Sequence, residues 1–279
     1  HRALHAKGSF YRASFTATPR AAELTRAPHL AGTPVPAVVR FSNGGGDPTV
    51  PDYAPDVRGL AVGFELPDGA RTDILAQTLP AFPFPDQEGF FAAMALGRPG
   101  PGTLLKLPGF ALRHPRALAK LPEANRFLGE RRSFAARRYF AFHAFKWIAA
   151  DGSERFVRYR WLPTADEPEL SKEETRKRGR NWLFDELAER LAAGPVRMEL
   201  EVQIAADGDE VDDPSAEWPA ERERVVVGTL EVTAPDPDAD DGMVFDPRRL
   251  TDGIEATADP VLRYRPAVYD LSHAERTAG

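Results

Sequence analysis

Hydrophobic and polar positions alternate with period two in several short runs of the chain, a spacing that sends successive side chains to opposite faces of a strand. The strictest run is Val196 to Ile204. The others are the end of Arg2 to Phe15, which begins as a loop, then Ala37 to Ser42, Val57 to Leu66, Thr72 to Gln77, Phe140 to Ile148, Arg155 to Leu162 and Val225 to Val232. Between them lie turn formers: Asn43-Gly-Gly-Gly46-Asp-Pro48 reads as a hairpin connection and Asp151-Gly152 as a tight hairpin turn. Helical spacing follows Thr18-Pro19 and runs over Thr18 to Leu30. It returns after Asn181, read as an N-cap, with Leu183, Phe184, Leu187 and Leu191 on one side until Gly194-Pro195 ends the run. Ser171 to Arg180 is charged and reads as a solvated helix face. Phe90 and Phe91 open a short helix, and further helical pieces fall around Pro108 to Arg113 and Pro115 to Phe127. At least seven short strands separated by turn signals, together with helices, predict an α+β fold: an antiparallel β-barrel with helices packed outside it. A barrel also offers a cavity. With no internal repeat and no long linker, residues 1–279 are expected to form a single domain.

Composition removes several kinds of chemistry. The chain has 279 residues, of which 42% are hydrophobic, enough for a sizeable core. A net charge of −6 and a pI near 5.6 argue against a nucleic-acid partner, which would call for a basic excess. The absence of cysteine excludes disulfides, zinc–thiolate sites, iron–sulfur clusters, a thiolate-ligated haem and thiol-based peroxide chemistry. No apolar run reaches the length of about 18 residues that a membrane span needs, so no membrane partner is expected. The chain starts at His1 without a methionine, so the expected location is cytoplasmic with a periplasmic or exported one left open. The glycines at 44–46 lack the Lys-Ser/Thr and helix of a phosphate loop, and Asp207 to Asp213 lacks the ligand spacing of a calcium loop.

Candidate chemistry concentrates near the C-terminus. On a helix, Arg265, Tyr269, His273 and Arg276 line up, while Val261, Leu262, Val268 and Leu271 turn elsewhere. A guanidinium one turn from a phenol favours the phenolate, and a phenolate is a good axial ligand for ferric iron. Taken alone, the same pattern also fits an amphipathic surface helix.

The other end of the chain carries a more specific signal. Arg2-Ala-Leu-His5-Ala-Lys-Gly8 resembles the segment that bears the distal histidine of haem catalases. Val39-Arg40-Phe41-Ser42 and Asp56-Val-Arg58-Gly59-Leu-Ala61 resemble two further catalase segments. Asp213-Pro214 with Trp218-Pro219, Val227-Gly228-Thr-Leu230, Phe245-Asp246-Pro247 and Gly253-Ile254-Glu255 follow in family order. Arg265, Tyr269, His273 and Arg276 match the family's proximal spacing, and the whole resembles the minimal, catalase-related peroxidase type. The resemblance implies an eight-stranded antiparallel barrel with haem b held against it and Tyr269 as the iron ligand, supported by Arg265. Arg2, Arg40 and Arg276 would bind the propionates, Phe90 would lie against the haem plane, and Ser42 would orient His5. It also implies that His5 moves a proton between the two oxygens of peroxide. Partners would be peroxide and small organic electron donors, with a homodimer left open. His143 reads as structural.

One departure bears on the reaction. Large catalases place an asparagine before a distal Thr-Pro, and the nearest match here is Gln77-Thr78-Leu79-Pro80. The expectation is therefore a peroxidase using hydrogen peroxide or organic hydroperoxides, with weak catalase activity. The alternatives are a true catalase, a fatty-acid hydroperoxide-converting enzyme of the allene oxide synthase kind, and a non-catalytic haem-binding protein. The synthases carry threonine where this chain has Leu4, and a mere haem carrier has no need of His5.

Overall fold

The computed structural model describes residues 2–82, 84, 88, 121–165, 167–239 and 242–265. Its strands are β1 (Gly8–Ala17), β2 (Val35–Asn43), β3 (Arg58–Glu65), β4 (Arg71–Gln77), β5 (Tyr139–Ile148), β6 (Glu154–Pro163), β7 (Val196–Ile204), β8 (Arg224–Pro235) and β9 (Ile254–Ala256). From β1 to β8 each strand pairs antiparallel with its sequence neighbours. Because β8 returns to β1 and Gln77 of β4 meets Phe140 of β5, the sheet closes as an eight-stranded barrel, with β9 added to β5. Closure removes the unpaired edges that an open sheet would leave. Every strand that the alternation predicts is present. β8 extends past the predicted Val232 to Pro235 because it continues along β1.

The helices follow the sequence less faithfully. The spacing over Thr18 to Leu30 gives only α1 (Pro19–Leu24) and a separate 3-10 turn at Pro28–Leu30. Thr25 breaks the run: it is extended at φ −154° and ψ 151°, and its hydroxyl donates to the Gly253 carbonyl at 2.8 Å. Pro28 then disfavours a helical Ala27. α2 (Leu121–Leu128) lies largely within the piece expected at Pro115 to Phe127, whereas the helices expected at Phe90 and around Pro108 to Arg113 lie outside the described residues. α3 (Lys172–Lys177) is the charged helix, capped reciprocally by Ser171 and Glu174. α4 (Trp182–Ala193) buries Leu183, Leu187 and Leu191 as expected, but Asn181 makes no side-chain cap bond. The Leu183 N–H donates instead to Oδ2 of Asp52, in the connection between β2 and β3. No helix among the described residues is long and apolar enough to cross a membrane.

The barrel is filled rather than hollow. Phe15 of β1 meets Phe64 of β3 at 5.1 Å and Trp161 of β6 at 6.2 Å between ring centroids, although these strands are not neighbours in the sheet, so the contacts cross the interior. Val39 and Phe41 are fully buried among this core. Period two then places Arg40 and Ser42 on the opposite, outer face of β2. The expected cavity is therefore replaced by a site against the outside of the wall.

Candidate active site

The floor of the site is a patch of small residues on that outer face. Ser42 lies in register with Gly8 of β1 and Gly59 of β3, and Arg40 with Phe10 and Ala61. A Cβ on Gly59 would come within 2.7 Å of both His5 Nδ1 and Ser42 Oγ, and one on Gly8 within 2.5 Å of the Arg40 guanidinium carbon. Glycine at these two positions lets the polar side chains lie flat on the sheet. The guanidiniums of Arg2 and Arg40 sit 5.9 and 5.5 Å from the Phe10 ring centroid, and Arg2 also donates to the Met243 carbonyl at 3.0 Å.

His5 stands on the arm that precedes β1. It is the only non-glycine residue with positive φ, 55°, among the described residues. Such a conformation costs on the order of 1–3 kcal/mol and persists where the surroundings over-determine it. They do so here: His5 N–H donates to Gly44 O at 2.9 Å, Ala6 N–H to Gly45 O at 3.0 Å, and Asn43 N–H to Lys7 O at 2.9 Å. Gly46 lies so close to the arm that a Cβ would meet Ala3 O at 2.3 Å. The glycine-rich stretch read as a hairpin connection thus joins β2 to β3, as expected, and also receives the N-terminal arm. The imidazole Nδ1 lies 3.0 Å from Ser42 Oγ. His5 as a residue is half-buried, yet the protein packed round the imidazole, followed by the charges of Arg40, Arg265 and Arg2, pushes its pKa down to about 4. His5 is therefore a neutral imidazole, able to accept a proton, over the physiological range.

A second imidazole belongs to β5. The ladder from β5 to β6 shifts register between Ala141 and Phe145, and this irregularity carries Phe142 and His143. His143 Nδ1 lies 2.5 Å from Oδ2 of Asp259, just beyond β9, and since a carboxylate only accepts, Nδ1 bears the proton. Oδ1 of the same carboxylate accepts the backbone N–H groups of Val261 at 2.8 Å and Leu262 at 3.0 Å, capping the helical residues 260–265 that lead to Arg265. Burial, then the charge of Arg265, pushes the His143 pKa down to about 4 against the opposing pull of Asp259. Its Nε2 is buried with no hydrogen-bond partner among the described residues. The Arg265 guanidinium lies 5.5 Å from the Phe142 ring centroid. Phe142 joins Phe82, Phe84 and Val261 in a buried apolar cluster apart from the barrel core. The bond to Asp259 ties His143 to the cap of the helical residues leading to Arg265, and this partner is one the sequence reading missed. The signal was available in Asp259-Pro260, an N-cap residue followed by proline at the first helical position.

Of the residues singled out from sequence, His5, Ser42, Arg2, Arg40 and Arg265 converge on one region. Tyr269, Arg276, His273 and Phe90 lie outside the described residues. The stretch that departs from large catalases has its polar groups engaged locally: Gln77 Nε2 donates to Leu79 O at 3.0 Å, its Oε1 accepts from Leu79 N–H at 3.1 Å, and Thr78 Oγ1 accepts from Arg58 N–H at 3.1 Å. The donor set fits the haem that the resemblance implies. Stacked guanidiniums beside a neutral imidazole suit a ligand with carboxylates, and the flat glycine floor and phenylalanine cluster suit its apolar ring.

Comparison with known proteins supports the fold and places the chain in a family. The chain is 50% identical to a catalase-related peroxidase of Mycolicibacterium paratuberculosis, with 99% of this chain and 89% of that protein covered. It is 36% identical to a catalase-related peroxidase of Synechococcus elongatus, with 99% and 83% covered. Against Catalase-2 of Bacillus subtilis the identity is 27%, and the chain spans 44% of that protein's length. The crystal structure of a fungal catalase superposes with a TM-score of 0.86 at 23% identity, over 99% of this chain and 59% of that one, a likeness of fold. With a family model described as catalase matching residues 1–279, from the arm that bears His5 to the segment that bears Tyr269, the chain belongs to the catalase family.

Proposed function

We propose that this chain is a haem-dependent peroxidase that uses hydrogen peroxide or organic hydroperoxides to oxidise organic donors, with weak catalase activity. Membership of the catalase family implies a haem cofactor and peroxide substrates. Beyond that, the proposal assigns haem b, with Tyr269 on the iron, Arg2, Arg40 and Arg276 on the propionates and Phe90 against the ring. Haem, when bound, supplies an iron centre that accepts oxidising equivalents from a peroxide and passes them to a donor.

The observation that carries the proposal is the neutral imidazole of His5, hydrogen-bonded through Nδ1 to Ser42 and surrounded by three arginines. Nε2 is then the atom that takes the peroxide proton and delivers it to the departing oxygen, a transfer eased because no carboxylate among the described residues retains the proton. Arg265 keeps the Tyr269 phenol ionised by its charge. Weak catalase activity is supported by the departure at Gln77-Thr78-Leu79-Pro80 from the asparagine of large catalases, with both Gln77 and Thr78 bonded locally to the backbone. Misplacement of a reacting group by about an ångström commonly costs on the order of 10² fold. The names of the two relatives above 30% identity support the same reading.

Dye oxidation and dioxygen release measured on one preparation test the proposal. Donor oxidation is expected to exceed dioxygen release. The reverse would assign a true catalase, and conversion of a fatty-acid hydroperoxide to an allene oxide would assign the synthase. The optical and paramagnetic-resonance spectra should carry a phenolate signature that Tyr269→Phe removes.

A further inference from the structure

We infer that Lys7 and Asp52 are positioning residues for His5: their ion pair locks the N-terminal arm in the conformation that sets the imidazole on Ser42. This rests on the reading of His5 as the proton carrier, although the test below does not. Lys7 follows His5 by two residues. Its ammonium lies 2.6 Å from Asp52 Oδ1, 3.1 Å from Arg180 O and 3.4 Å from Val50 O, so each of its three N–H groups has an acceptor. The Asp52 side chain has no accessible surface, and it also accepts from Asn43 Nδ2 at 2.7 Å and from Leu183 N–H at 3.1 Å. One buried carboxylate thus ties together the arm, the end of β2 and the start of α4.

The arm needs such an anchor. Removal of one partner of a buried pair leaves the other uncompensated. Without the pair, the positive φ at His5 would rest on its two backbone bonds to Gly44 and Gly45, the one from Asn43 to Lys7, and the contact with Gly46. The groups facing the imidazole are Arg2 on the arm, Arg40 and Ser42 on β2, Gly59 on β3, and Arg265 beyond β9. Release of the arm would separate the ring from all but Arg2.

Hydrogen–deuterium exchange at the imidazole C2 position, followed across pH by mass spectrometry of the full-length purified protein, reads this directly. In the parent protein His5 should titrate near 4. In Lys7→Met and Asp52→Asn it should move towards the ordinary value of about 6.5 and exchange at least tenfold faster. His29 and His143, measured on their own peptides, should not move. Lys7→Arg, which keeps the charge but not the compact three-acceptor geometry, should give an intermediate shift, and it decides the matter if Lys7→Met does not fold. An unchanged His5, or an equal movement of all three histidines through general loosening, overturns the inference. Undiminished peroxide turnover in His5→Gln would remove the proton-carrier reading and leave the exchange result standing.

Discussion

Two imidazoles with Arg265 as a common charged neighbour are brought to the same pKa, about 4, by burial, yet they are bonded to different oxygens. His5 meets the hydroxyl of Ser42 and the charges of three arginines, with no carboxylate partner among the described residues. A proton gained there is poorly held and is readily passed on. His143 meets the carboxylate of Asp259, which fixes its tautomer and also caps the helical residues leading to Arg265. The difference is instructive: a neutral partner leaves an imidazole free to exchange its proton, and a charged one turns it into a fixed strut.

The strongest way to break this comparison is kinetic. In stopped-flow mixing with peroxide, His5→Gln should slow the first step by about 10² to 10⁴ fold, the usual worth of a positioned proton carrier. His143→Gln should slow it by less than about tenfold, and equal losses would abolish the distinction between carrier and strut.

Acid stability comes next. His29 and His143 are 2% exposed, and burial depresses their pKa values to about 3 and about 4. Each binds its proton more readily unfolded than folded, so its contribution is fully present above about pH 6.5 and is lost as pH falls towards the folded value. At about 1.4 kcal/mol per unit, the full loss is roughly 5 kcal/mol for His29 and roughly 3 kcal/mol for His143. His5 adds a smaller share because the residue is only half-buried. Denaturant melts between pH 7 and 4 should show the decline, shallower in His143→Gln, and a flat profile would contradict the burial argument.

Asp259→Asn keeps an oxygen for the helix cap but loses the charged acceptor of His143. The expected cost is about 1.5–3 kcal/mol, seen as a lower denaturation midpoint with unchanged slope. A loss as small as that of an exposed ion pair would show that the strut carries no load. Ser42→Ala should have the smallest effect, about 0.5–1.5 kcal/mol, with His5 still titrating well below 6.5 because burial rather than Ser42 lowers its pKa. A His5 pKa restored to its ordinary value in this variant would transfer the cause from packing to the hydroxyl.

Legibility followed the range of the interactions. Period two marked each barrel strand, and Val196–Ile204 has the bounds that its alternation predicts, because a strand's face pattern depends on residues adjacent in the chain. The Asp151-Gly152 turn was readable for the same reason, with Gly152 at φ 83°. The helix expected over Thr18 to Leu30 failed where Thr25 bonds to Gly253, 228 residues away. Asn181 was displaced as a cap by Asp52, 131 residues from the Leu183 whose N–H it accepts.

The chain alone therefore determined the barrel strands, the face each presents, and, through its likeness to catalases, which residues to examine at the site. Only the tertiary structure decided that the barrel is filled, because that follows from closure of the sheet. It alone joined His143 to Asp259 across 116 residues. The low pKa of His5 is of the same kind: it arises from desolvation and from guanidiniums at positions 2, 40 and 265, a field that exists only once the fold has brought distant parts of the chain together around one ring.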